Sequence, residues 1–245
     1  MILVTGATGI LGRVIVLELL KRGKTVRATK RKSSNLQEVR KSFQFYTETP
    51  NEYFDSIEWI EVDFEDIHSL QNALNGVEEV YHCAAKVSFH PKDEKKMYQT
   101  NIEGTKQLLF ACQNSSVKKF LFVSSIAVLD GLNEKGELDE SSDFNPKIDH
   151  SAYAISKHFS EMEVWRASAE GLNTVIVNPG IIIGSGNWKE SSGTLFKELG
   201  ENAFTFSGGT SYVDVRDVAK ISVELMENNI FGERLILISE NKKYE

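Results

Sequence analysis

Met1-Ile-Leu-Val-Thr-Gly-Ala-Thr-Gly-Ile-Leu-Gly12 decides the architecture of this 245-residue chain. Ile2 to Thr5 reads as a short buried strand, and the apolar spacing from Ile10 to Lys21, stopped at Gly23, reads as a helix. Between them Gly6, Gly9 and Gly12 follow G-x-x-G-x-x-G. The first glycine permits a tight turn, the second lets backbone approach a pyrophosphate, and the third lets the helix pack closely on the strand. First-turn N–H groups and the positive end of the helix then face the phosphates. The stretch therefore implies a dinucleotide site, with Thr8, Ile10 and Leu11 as further contacts of the turn. A bare structural turn is the alternative, and its place as the first element of a βαβ unit weighs against that.

Strand and helix signals alternate along the rest of the chain. Strands are expected at residues 25–29, 57–63, 77–84, 119–124, 173–178 and 233–239, and helices at 35–45, 67–74, 94–114 and 152–170. A loop runs through Pro50, another covers 128–150, and 212–228 reads as turn plus helix. This alternation predicts an α/β fold, a doubly wound Rossmann parallel sheet of about seven strands with ligands outside the carboxyl ends of the strands. We expect one structural unit: a dinucleotide-binding domain over 1–180, a substrate-lobe segment over the glycine- and serine-rich 181–214, and a returning helix and strand over 215–245.

Composition narrows the function classes. With 41% hydrophobic and 26% charged residues the chain can bury a sizeable core, and its net charge of −7 argues against nonspecific binding to nucleic acid or to an anionic membrane surface. No apolar run reaches about 18 residues, and the first strand begins at Met1 without a basic leader, so a cytoplasmic protein is expected. Cys83 and Cys112 read as two buried thiols rather than a disulfide framework. The five histidines show no pair at metal-ligand spacing with a suitable third ligand, so no metal is expected.

The basic run after the second strand bears on which dinucleotide is bound. NAD sites carry an acidic residue about 20 positions past the glycines to accept bonds from the ribose hydroxyls. Here that place holds Lys30, Arg31 and Lys32. A guanidinium fork binds a 2′-phosphate that a carboxylate would repel. The preferred cofactor is therefore NADP(H), with NAD(H) possible, and Arg31 is the expected phosphate ligand, assisted by Lys32, Ser33 or Ser34. A solvated basic edge is the alternative. Asp63, ending the third strand, reads as a cap for the helix that follows, as an acceptor for the adenine amino group, or as both.

Tyr153-Ala-Ile-Ser-Lys157 puts a phenol and an ammonium on one helix face. Bringing a tyrosine from a pKa of about 10 to near 7 takes about 4 kcal/mol of differential stabilisation. A desolvated lysine, a cationic nicotinamide ring and a helix end together can supply that; an exposed lysine alone cannot. Ser125, at the carboxyl end of the fifth strand, is placed to hydrogen-bond the reacting oxygen beside the Tyr153 hydroxyl.

In this order the chain resembles an extended short-chain dehydrogenase/reductase of the NAD-dependent epimerase/dehydratase superfamily. The resemblance rests on Thr5-Gly-Ala-Thr-Gly-Ile-Leu-Gly12, Val62-Asp63, His82-Cys-Ala-Ala85, Asn101-Ile-Glu-Gly-Thr105, Val123-Ser-Ser125, Tyr153-Ala-Ile-Ser-Lys157, Asn178-Pro-Gly180 and Tyr212-Val-Asp-Val-Arg-Asp-Val-Ala219. It implies Tyr153 as general acid/base, Lys157 on the nicotinamide ribose lowering the tyrosine pKa, and Ser125 orienting the substrate oxygen. It also implies cofactor contacts at Phe64, at Ala84, Ala85 and Lys86, and at Pro179, Ile181 and Ile182. Asn101 would act through helix geometry and a bound water, or be an ordinary helix residue. A homodimer paired through helices 94–114 and 152–170 is implied by the family alone.

The run Val26-Arg-Ala-Thr-Lys-Arg31 is similar to dihydroflavonol reductase-like and cinnamoyl-CoA reductase-like members, and Asn178-Pro179 stands where sugar-nucleotide epimerases more often have Arg-Pro. Both features favour an NADP(H)-dependent carbonyl reductase or alcohol dehydrogenase. The alternatives are an NDP-sugar epimerase or dehydratase with a tightly held cofactor, and a non-catalytic NAD(P)-binding sensor or scaffold. The substrate is thus a small carbonyl, alcohol or sugar nucleotide, and Lys86, Phe89, Trp188 and Tyr212 either line its pocket or pack. The family usually continues past a strand near Ser239 into further helices of the substrate lobe, so a small, incomplete C-terminal lobe is expected here.

Overall fold

The computed structural model describes residues 1–88, 90–185 and 208–243, so Phe89, Trp188 and most of the expected substrate-lobe segment lie outside the described residues. Strands β1 (Ile2–Thr5), β2 (Val26–Lys30), β3 (Glu58–Glu61), β4 (Glu79–His82), β5 (Lys119–Val123), β6 (Asn173–Pro179) and β9 (Glu233–Leu237) form one parallel sheet in the order β3-β2-β1-β4-β5-β6-β9. Every residue of β1 is buried, as expected for a central parallel strand covered on both faces.

Helices α1 (Ile10–Lys21) and α8 (Val215–Glu227) cover one face through Ile15, Leu19, Val218 and Val223. Helices α4 (Ile67–Ala73), α6 (Gly104–Gln113) and α7 (Ala152–Ala169) cover the other through Leu70, Leu108 and Val164. Each fully buried leucine stabilises the fold by about 2 kcal/mol. The sheet order reverses between β1 and β4, so their carboxyl ends open the crevice where such folds bind ligands. Among the described residues no helix is long and apolar enough to cross a membrane.

Three local features differ from the expected pattern. The stretch through Pro50 holds helix α3 (Pro50–Asp55) beside α2 (Leu36–Ser42), because Pro50 sits in its first turn and Phe54 is buried against Phe43 and Trp59, with ring centroids 6.1 and 5.7 Å away. The helix expected over 94–114 is broken into α5 (Glu94–Tyr98), a π-helical turn (Gln99–Glu103) and α6. There the Ser160 hydroxyl donates to the Asn101 carbonyl at 2.8 Å and draws it into contact with α7. Finally, β8 (Gly209–Asp214) pairs with β7 (Ile181–Ile183) and with β10 (Glu240–Lys243) in a small second sheet, so the last described residues leave the main sheet.

Candidate active site

The glycine turn and the β4 loop meet at the switch point. Gly6 has φ +64°, and a Cβ there would stand 2.6 Å from the Ala84 nitrogen. A Cβ at Gly12 would come within 2.7 Å of the Gly6 carbonyl carbon, so helix and turn touch only because both positions are glycine. The Ala84 amide donates to the Thr5 hydroxyl at 3.2 Å, which fixes the Ala84–Ala85 loop beside the turn. Gly9 precedes α1 and no side chain caps the helix, so its first-turn amides are left for an acceptor. Ile10 and Leu11 open that helix. The Thr8 and Gly9 carbonyls are instead turned to the buried Arg13 guanidinium, which also pairs with Glu38 at 2.8 Å.

Burial among Phe64, Phe120 and Phe122 pushes the pKa of His82 down to about 3, so this histidine is neutral. It bridges Thr5 at 2.6 Å and Thr105 at 3.0 Å and serves the framework. Phe64 is thereby placed against His82, under the β4 loop. The Asn101 side chain grips Lys86 from both sides, accepting from its amide at 2.7 Å and donating to its carbonyl at 3.0 Å. It also donates to Ser156 of α7 at 2.9 Å. Asn101 thus ties the Ala84–Lys86 loop to α7, while the Lys86 ammonium pairs with Asp93 at 3.2 Å.

The basic run divides into paired and free charges. Arg27 pairs with Glu58 at 2.8 Å and Lys30 with Glu61 at 3.6 Å. Arg31 and Lys32, both exposed just beyond β2, have no side-chain ion pair or hydrogen bond among the described residues. The Arg31 amide donates to the Ser34 hydroxyl at 3.0 Å, closing the turn. Asp63 does not cap α4. It accepts from the Glu65 amide at 2.9 Å, and Asp66 is the cap, accepting from His68 at 3.0 Å. Two acidic residues stand close in sequence, and only the one whose carboxylate reaches back to the first turn can cap.

Ser125, Tyr153 and Lys157 come together at the carboxyl end of β5. Ser151 caps α7 by accepting from Ala154 at 3.1 Å, which sets the register that turns Tyr153 toward Ser125. Burial raises the phenol to about 12, and a hydrogen bond from Ser125 works in the opposite direction. Lys157 is 2% exposed, donates to the Val123 carbonyl at 2.6 Å, and lies 4.2 Å from the Phe122 ring centroid. Desolvation lowers its pKa to about 8, opposed by the charge of Glu161. In the protein alone burial outweighs the Ser125 contact at Tyr153, and the cationic nicotinamide that the lowered value calls for is not among these causes. The Lys157 ammonium is engaged by the Val123 carbonyl of β5.

Behind the three residues lies a polar network that joins Asn178, already marked by its motif, to Glu161 and Arg234, which no motif marks. Asn178 of β6 donates to the Ser125 carbonyl at 2.9 Å and to Glu161 at 2.7 Å. Glu161 also faces Arg234 of β9 at 3.6 Å. The signal available in the sequence was the spacing of Lys157 and Glu161, one helical turn apart on the inward face of α7. Pro179 is buried at the end of β6, and the chain passes through Gly180 into Ile181 and Ile182 of β7 on the same side of the sheet. Tyr212 pairs with Ile181 in the small sheet. Among the described residues no group of three or more His, Cys, Asp or Glu side chains is placed to hold a metal ion.

Comparison with known proteins agrees with this geometry. A curated relative, "Sterol demethylase protein B" of Methylococcus capsulatus, is 31% identical over 98% of this chain and 70% of its own length. A "Putative dihydroflavonol 4-reductase" of Synechocystis sp. is 30% identical over 88% of this chain, and the match spans only 60% of that protein. The solved structure of "gox2253" superposes with a TM-score of 0.84 at 29% identity, over 99% of this chain and 71% of that one. The sequence profile of the "NAD dependent epimerase/dehydratase family" matches residues 2–237, and with the glycine turn, the switch-point crevice and the Ser125, Tyr153 and Lys157 cluster in place, this chain belongs to that family.

Proposed function

We propose that this protein is an NADP(H)-dependent carbonyl reductase or alcohol dehydrogenase. One observation carries the reading: Tyr153, in hydrogen-bond reach of Ser125, lies one helical turn from the buried Lys157 at the carboxyl edge of the sheet. The residues present fit a dinucleotide. The uncapped α1 amides and the glycines at 6, 9 and 12 suit a pyrophosphate, and the Ala84–Lys86 loop, with Pro179, Ile181 and Ile182, suits the nicotinamide half. Asp63 suits the adenine amino group, and the free Arg31 and Lys32 suit a 2′-phosphate.

When bound, the nicotinamide supplies or accepts a hydride at its ring C4. In the reducing direction the chain's own residues would act on the substrate carbonyl. Its oxygen, hydrogen-bonded by the Ser125 hydroxyl, takes the proton from the Tyr153 Oη. The phenolate left behind is stabilised by the Lys157 ammonium and recovers a proton from water. A phenol whose pKa lies near 12 is fully protonated at neutral pH, which is the form an acid in this direction needs. The substrate lobe is assigned to 181–214.

With an aldehyde and ketone panel, NADPH consumption equal to alcohol formed is the expected result. Turnover of a sugar nucleotide without net NADPH change would transfer the chain to the epimerase reading. Binding without any turnover would leave a sensor or scaffold. Phe110 on α6 and Phe159 and Met162 on α7 are 54%, 50% and 44% exposed, which supports pairing of two copies through these helices. Sedimentation as a dimer at micromolar concentration is expected, and a monomer there would remove the pairing.

A further inference from the structure

Glu161 is only 1% exposed, and the transfer of a proton through Ser125, Tyr153 and Lys157 does not call for it. A buried carboxylate costs several kcal/mol to desolvate, so its retention needs partners. The partners found lead back to the site. Glu161 Oε1 accepts from Asn178 Nδ2, and the same nitrogen donates to the carbonyl of Ser125. Both neighbours are acceptors only, so the Asn178 amide has one possible orientation. That orientation leaves Asn178 Oδ1 buried and without a hydrogen bond among the described residues. The Asn178 nitrogen, donating to both, links Glu161 to the peptide that carries the Ser125 hydroxyl.

On its other side Glu161 Oε2 faces Arg234, whose guanidinium donates to the carbonyls of Glu140 and Ser142 at 2.8 and 2.7 Å. Lys157, Glu161 and Arg234 thus form a row of alternating charge from β5 across α7 to β9. Among the described residues the groups facing the Lys157 ammonium are the Val123 carbonyl, the Phe122 ring, Cys83, His82 and Glu161, with the Tyr153 phenol one helical turn away. Burial pushes the thiol of Cys83 up to about 12, so it is neutral at physiological pH. His82 is neutral as well, which leaves Glu161 as the acidic side chain among them.

We propose that Glu161 is a positioning residue of this site: buried one helical turn from Lys157 on the same face of α7, it presents its carboxylate to that ammonium and, through Asn178, fixes the peptide that presents the Ser125 hydroxyl. The inference rests on the reductase reading for its catalytic consequence, but its effect on Lys157 exists in the protein alone. An anchor for β9 and the 140–142 loop would need the Arg234 pair and nothing further. The contact to Asn178 and the charge presented to Lys157 are what such an anchor leaves over.

The test uses protein carrying 13Cε,15Nζ-lysine, with the Lys157 signal assigned by Lys157→Arg and followed against pH without cofactor. In Glu161→Gln the Lys157 titration midpoint is expected to fall by about one pH unit, a tenfold change in the protonation equilibrium. With NADPH and the carbonyl panel, kcat is expected to drop and its alkaline limb to move down by the same amount, with substrate KM nearly unchanged. Glu161→Asp keeps the charge and is expected to restore the midpoint. Should Glu161→Gln not fold, Glu161→Ala, which leaves room for water at Asn178 Nδ2, carries the same expectation. An unmoved Lys157 midpoint in a folded variant overturns the proposal, whatever the activity. A moved midpoint in a protein that reduces no carbonyl sustains the action of Glu161 on Lys157 and overturns the reductase reading instead.

Discussion

Tyr153→Phe is expected to lower NADPH-dependent turnover of a carbonyl substrate by about 10^3-fold, within the range that loss of a general acid costs. The change removes one oxygen from a half-buried ring whose packing Phe reproduces, so the fold and the α7 register set by Ser151 stay intact. Ser125 loses one partner but keeps its bond from the Ala127 amide at 3.2 Å, and its hydroxyl is near enough to solvent to be rehydrated. NADPH affinity, followed by fluorescence titration, is expected to stay within about twofold, because the phosphate contacts lie at the other end of the crevice. Near-normal turnover in this variant would take Tyr153 out of the chemistry. A parallel loss of NADPH binding would show that the residue holds the cofactor rather than moves a proton.

Arg31→Glu is expected to weaken NADPH binding about 100-fold while changing NADH binding by less than about threefold. The magnitude follows from a charge-assisted contact of about 1.5–3 kcal/mol, plus repulsion between a carboxylate and the 2′-phosphate, reduced by screening at an exposed position. The local arrangement makes the prediction specific to this residue. Glu58 and Glu61 of β3 already compensate Arg27 and Lys30, whereas Arg31 has no compensating acid among the described residues. Titration of both nucleotides at fixed ionic strength measures the ratio. An unchanged NADPH/NADH ratio would return the basic run to solvent. The same substitution at Arg27 would instead break its bonds to the carbonyls of Ala73 and Asn75 and act on stability.

How much of this was legible differs from element to element. Helix α1 and strand β1 occupy the residues that their apolar spacing marks, because both are set by local pattern and by a turn in which Gly6 takes a positive φ and Gly12 leaves no room for a Cβ. The helix at Pro50 was hidden, since a proline reads equally as a break and as a first-turn residue, and only the burial of Phe54 decides. The small sheet escaped for a different reason. Its strands at Ile181–Ile183, Gly209–Asp214 and Glu240–Lys243 are short and pair across long stretches of chain, and local spacing carries no record of such partners. Asp63 shows the same limit at single-residue scale, because Asp66 competes for the cap and geometry chooses between them.

By itself the sequence determined the parallel αβ order, the glycine turn that leaves α1 uncapped, and the one-turn spacing of Tyr153 and Lys157. All three are near-neighbour properties that follow from backbone sterics and helical period. Only the tertiary structure decided which charges of the basic run are free, that Lys157 is buried on the Val123 carbonyl, and that Glu161, Asn178 and Arg234 converge behind Ser125. Those facts depend on strands and helices far apart in the chain meeting in one place. Desolvation and pairing, which set the charge state of each group, act only after that meeting has occurred.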